Sequence, residues 1–283
     1  MRYTDIEHCR VISQVVNPRA FLYNTLYMSG HSKWAQIKRQ KGVQDVKRGQ
    51  AFTKLGNAIT IAVKTGGGGD VDSNIRLRLA IDQARGANMP KENIQRAVDR
   101  GLGKGDGVIL ENVLYECFAP SGVAVLVEAV TDNKNRASGE IRNLFSKAGG
   151  SLGSSGSVAY LFNREGEIHV NKANKINETN KANKTSDDIT LDEVMEKAME
   201  AGADDVVDEG KMFIVYTKVD NLHQAKTKLE ELGLTVLSAS PVYLPNKETL
   251  VSIDDETKAH QVLNLLENLE ELDDVQNVYS NLG

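Results

Sequence analysis

The chain has little cysteine, few aromatics and no long apolar run, and each shortage removes a class of protein. Two cysteines in 283 residues, Cys9 and Cys117, cannot build a disulfide framework, and they stand too far apart to begin a zinc site. A reducing compartment fits that usage. No apolar stretch approaches the roughly 20 residues that a membrane helix needs. Five prolines and 5% aromatics, with a single Trp, leave a chain of 40% hydrophobic and 26% charged residues. That composition belongs to ordinary globular domains, and the length suits two or three of them.

Charge is also scarce in one sense, since positive charge is missing from most of the chain. Residues 108–283 hold 16 Lys/Arg against 30 Asp/Glu. Residues 28–107 hold 15 against 7, inside a protein of net charge −5. The densest part is 28–54, where Lys33, Lys38, Arg39, Lys41, Lys47, Arg48 and Lys54 face one carboxylate, Asp45. A local cation excess raises the concentration of polyanions near it, so this end of the chain calls for a nucleic-acid partner. Residues 1–27 contain Asp5 and Glu7 and lack a continuous apolar core, which makes a poor secretory signal. They read as a poorly ordered extension, and the expected location is the cytoplasm. The mitochondrial matrix follows instead if they act as a presequence.

Hydrophobic spacing divides the rest. Phe52, Leu55, Ile59, Ala62 and Val63 predict an amphipathic helix over 45–65, broken by Gly66–Gly69. Leu77, Ile81 and Ala84 mark a second helix, with Arg78 and Arg85 on one flank. Pro90 opens a third that Gly101 ends. Strands are expected at 113–118 and 123–130 around a Pro120-Ser121-Gly122 turn, then a helix at 136–148 and short strands at 157–162 and 167–170. Residues 171–188 repeat Asn-Lys-Ala-Asn-Lys and offer no apolar face, so they read as a linker. Thr190–Glu193 is a capping box, and an α-β-β-α-β unit follows to about 245. The last residues give a strand at 249–253, a helix at 255–272 and a strand at 275–280. About 35 residues cannot bury a core alone, so this tail is expected to pack on the strands of 108–170.

The expected organisation is α+β. A basic helical domain covers 28–107, a discontinuous α+β domain covers 108–170 plus 246–283, and a second α+β domain at 189–245 is inserted within it. From Met28 onward the chain resembles the YebC/PmpR family, which includes the mitochondrial translational activator of cytochrome c oxidase subunit I. The resemblance rests on Gly30–Trp34 with the basic run after it, Ala87–Ile94, Thr131–Arg136, Lys147–Gly153 and Asp273–Asn281, in that order. The extension and the Asn/Lys repeat depart from the family pattern without touching these motifs. The resemblance implies three domains around a cleft and a factor acting on gene expression, through DNA or through ribosomal or transfer RNA on the ribosome.

Two readings attach to each candidate site residue. Trp34, with Lys38 and Lys41 on one helical face, suits stacking on a base beside phosphate contacts. A lone Trp beside Ile37 is more often a core anchor. Lys134 and Arg136, at the start of a helix that Asp132 or Asn133 can cap, suit a phosphate cradle or a plain capped turn. Enzyme chemistry is poorly supported. Gly66–Gly69 lacks the Gly-Lys-Ser/Thr ending of a phosphate-binding loop, and His31, His169, His223 and His260 form no pair at metal-ligand spacing. The expectation is a non-enzymatic nucleic-acid-binding regulator with no cofactor, small-molecule substrate or membrane partner. The rivals are a protein-interaction adaptor and a metal-dependent nucleic-acid-processing enzyme.

Overall fold

The computed structural model describes residues 32–34, 36–37, 48–104, 110–172 and 189–283. Three helices form the first layer: α1 (Arg48–Thr65), α2 (Ile75–Gly86) and α3 (Lys91–Gly101). Ile59, Val63, Leu77, Ile81, Ala84, Ile94 and Val98, recurring at helical spacing, bury one stripe of each helix in a shared core. Asn74 caps α2 by accepting from the Leu77 N–H, and its amide also donates to Ala62 and Gly68 carbonyls. Gly101 is required at the α1–α3 crossing, where an added Cβ would stand 2.6 Å from the Val63 side chain.

The first sheet joins β1 (Glu111–Phe118), β2 (Ala124–Thr131), β3 (Ser151–Leu152) and β8 (Val275–Ser280) in the order β3-β1-β2-β8. The β1–β2 hairpin turns at Pro120–Gly122, where Ser121 and Gly122 take φ of 64° and 78°. Strand β2 reads Ala-Val-Leu-Val-Glu-Ala-Val-Thr and is apolar almost throughout because both its faces are covered. On one side lie α4 (Lys134–Lys147) and α7 (Glu256–Glu270), which contribute Ile141, Phe145, Val262, Leu266 and Leu269. On the other, Ala124 and Leu126 meet Val158, Phe162 and Tyr243. The chain's end thus completes a sheet begun more than a hundred residues earlier, with Val125 opposite Ser280.

The second sheet has the order β5-β6-β4-β7, from β4 (Phe162–Asn171), β5 (Asp205–Asp208), β6 (Met212–Lys218) and β7 (Val236–Pro245). Helices α5 (Leu191–Glu200) and α6 (Leu222–Glu231) cover its apolar face through Val194, Ala198, Leu222, Ala225 and Leu229. The capping box at Thr190 and Glu193 is formed. The structure differs from the sequence reading at β4. In place of two short strands belonging with 108–150, one ten-residue strand pairs with β6 and β7 and joins the second sheet. Its polar stretch Asn163–Gly166 masks the strand signal. Gly166 is needed there because a Cβ would lie 2.8 Å from Leu222 of α6. The expected strand at 249–253 is a single parallel bridge between Val251 and Leu282. Among the described residues no helix is long and apolar enough to cross a membrane.

Candidate nucleic-acid interface

Of the basic run, Lys38, Arg39, Lys41 and Lys47 lie outside the described residues, and Arg48 is the first residue of α1. The residues before them are held against the end of the chain. The Lys33 N–H donates to the Leu282 carbonyl at 2.8 Å, and the Ser32 hydroxyl donates to the same oxygen at 3.1 Å. Trp34 is 2% exposed and packs with Val125, Val127, Phe145 and Val278. Its indole N–H donates to the Val278 carbonyl at 3.2 Å. The stacking expectation for Trp34 is therefore corrected. Its ring sits in the core beside β8, and a buried indole with a satisfied N–H has no free face for a base.

Several other candidate cations are engaged within the fold. Lys54 Nζ donates to the Glu270 carbonyl at 2.5 Å, placing its charge at the C-terminal end of α7, where the helix dipole favours it. Arg78 bonds to His223 Nε2 of α6 at 3.1 Å and to the Val71 and Asp72 carbonyls. With Lys226–Asp82 at 2.6 Å and the Gln83 amide on the Ala239 carbonyl, it docks α2 on the second sheet's layer. Lys134 pairs with Glu111. Arg136 closes on Asp132 and Asp274 at 2.8 and 2.9 Å. Asn133 accepts from the N–H groups of Asn135 and Arg136, and Asp274 accepts from the Thr131 hydroxyl. This loop is a closed cap in which three carboxylates answer two cations. It is not an open anion cradle.

The helical layer presents further cations at the surface. Arg76 and Arg85 on α2, Lys91 and Arg100 on α3, and Lys104 beyond it are exposed and have no side-chain partner among the described residues. Of these, sequence reasoning singled out only Arg85. Lys91 and Arg100 could have been found from one signal, their recurrence with Arg96 along α3. Burial raises the Glu116 carboxyl's pKa, and the N–H groups of Gly156, Val158 and Ala159, at 2.6–2.7 Å, outweigh it and hold it below the ordinary 4.5. Burial pushes the Cys117 thiol up to about 12, which leaves it unreactive. No cluster of His, Cys, Asp or Glu suited to a metal occurs among the described residues.

A three-helix layer carrying surface cations, followed by two antiparallel sheets each backed by two helices, defines a class of three-domain α+β proteins. Residues 32–104 match the N-terminal domain of the TACO1/YebC proteins, and residues 110–282 match their second and third domains. The chain belongs to the TACO1/YebC family. It is 46% identical over 255 residues to a probable transcriptional regulatory protein of Chloroflexus aurantiacus, covering 90% of this chain and 95% of that one. A protein of the same description from Persephonella marina matches at the same identity and coverage. The crystal structure of a conserved hypothetical protein from Aquifex aeolicus superposes with a TM-score of 0.77 at 44% identity, over 89% of this chain and 97% of that one.

Proposed function

We propose that this protein is a non-enzymatic regulator of gene expression that binds nucleic acid through its helical domain. The observation that carries the reading is the separation of charge, with cations exposed on the helical layer of an otherwise acidic protein. Relatives described as transcriptional regulatory proteins support the regulatory part. The chemistry favours binding through phosphates over reading of a duplex sequence. Glu92 and Asp99 interleave with Lys91, Arg96 and Arg100 on α3, and carboxylates are poorly suited to a groove walled on both sides by phosphate. An RNA target, including ribosomal RNA, fits such a surface better than a specific operator. A cytoplasmic location accords with the reading.

Changing Lys38, Arg39, Lys41, Lys47 and Arg48 together to Gln tests it. Gln has similar helix propensity, so the helices should persist. Affinity for RNA and DNA should fall across sequences, and the salt dependence should flatten by about 0.7–0.9 for each phosphate that the variant no longer neutralises. Titration of the full chain with labelled single and double strands over a range of salt measures both. An unchanged salt slope would remove the basis of the proposal.

A further inference from the structure

The groove between α1 and α3 holds a polar group that the fold does not use. Asn57, on α1, is 8% exposed, yet its side-chain amide has no hydrogen-bond partner among the described residues. Its neighbour Thr60 shows what this helix crossing ordinarily requires. That hydroxyl is fully buried and bonds both the Gly56 and the Ala97 carbonyls, at 2.9 and 3.0 Å. Asn57 lines the groove and bonds to no described group of the fold there, so its amide is free to bond a group that enters. The groove is open-sided and offers about 260 Å³ between α1 and α3. That is smaller than the sites that take drug-sized molecules and suits a single planar group.

The lining gives that group its chemistry. Met89 and Ala97 form an apolar floor beneath Gly56, whose missing Cβ would stand 3.8 and 3.9 Å from them. Phe52 supplies a half-buried aromatic wall. Arg96, held by Asn93, and Arg100, one turn further along α3, set two exposed guanidinium groups at the rim. Aromatic wall, neutral amide and two cations answer base, base edge and phosphate respectively.

We propose that this groove is a subsite for one unstacked base of a single-stranded nucleic acid, with Asn57 bonding the base edge, Phe52 stacking, and Arg96 and Arg100 holding the adjoining phosphates. The inference rests on the nucleic-acid reading above and adds single-strandedness and a base-contacting residue to it. A base paired inside a duplex cannot reach Asn57.

The test compares short single strands of RNA and of DNA, intact and with abasic residues throughout, for binding to the full chain. Phosphate number is equal within each pair, so the difference reports the base alone. Intact strands should bind roughly tenfold or more tightly than abasic ones. Asn57→Leu should shrink that difference, and Phe52→Leu added to it should abolish it, while Asn57→Leu alone leaves the melting temperature unchanged or higher, since the amide removed has no partner in the fold. Arg100→Gln should keep the base difference and flatten the salt slope by about 0.7. A preference for the RNA or the DNA pair names the source of the strand, and either supports the subsite. Equal binding of intact and abasic strands overturns the subsite, and so does a base difference that survives undiminished in Asn57→Leu. If the full chain binds neither single strands nor duplexes, the nucleic-acid reading itself fails. That outcome is distinct from a subsite failure, in which binding persists.

Discussion

Trp34 holds the start of the helical region against the last strand, and the energetics of one side chain are large at that point. Its indole fills a site lined by Val125, Phe145 and Val278. Trp34→Ala should cost about 3–5 kcal/mol through reduced burial and an unfilled cavity. As the chain's only Trp, its fluorescence change on unfolding should coincide in the wild type with the loss of sheet signal in circular dichroism. Glu116 is a second case. Glu116→Gln should cost about 1–3 kcal/mol near neutrality, because three N–H groups lose a charged acceptor. A carboxyl whose folded pKa lies below its unfolded value adds stability above the unfolded pKa, and that stability is lost as pH falls through the folded one. Melting temperatures of wild type and variant should therefore converge on acidification below about pH 4.5. A core anchor was one of the two readings of Trp34 in sequence, whereas the role of Glu116 was not legible there. Glu116 reads as one polar residue in a strand, and its three partners come from a loop forty residues away.

Elements were more readable than contacts. The helices over 75–86 and 91–101, the Pro120–Gly122 turn and the helix after Asn133 all lie where apolar spacing and turn residues put them. These signals are local, and each depends on a few neighbouring residues. The long strand β4 escaped because its partners β6 and β7 arrive later in the chain, and pairing with them carries the strand across its polar stretch. The same sheet makes the Asn/Lys repeat testable. The repeat at 173–188 lies outside the described residues, but its flanks meet, with the Ile189 N–H donating to the Lys172 carbonyl at 3.1 Å. Lys172 also pairs with Asp208. Replacing 173–188 by an Asn-Gly turn should leave the thermal midpoint within about one degree or two of wild type, because surface loops change stability little with length. A calorimetric scan measures it.

At the scale of the whole molecule, the first sheet depends on both ends of the chain. Ending the protein near residue 245 would remove α7 and β8. Strand β2 would then be left as an open edge, and Leu266, Leu269 and Val278 would be missing from the core around Trp34. Such a chain should lose cooperative unfolding of the first sheet, and its apolar face should bind a hydrophobic dye or drive aggregation. Full-length stability in that truncation, measured by chemical denaturation, would contradict the interlock. The second sheet should survive better, since 162–171 and 189–245 supply all four of its strands.

The sequence by itself determined the class of protein: the helical start, the α+β remainder, the charge separation and the motifs that match its family. All of these are composition or short-range periodicity, which a linear chain carries in full. Tertiary structure decided which sheet β4 joins, that Trp34 is an anchor, and that Lys54, Arg78, Lys134 and Arg136 are engaged within the fold. It also brought Asn57 and Phe52 to face Arg96 and Arg100 across one groove. Those outcomes depend on which distant groups compete for the same donor, acceptor or cavity. A residue's type shows what it can bond to, and only the packed chain shows which of those bonds remain unmade.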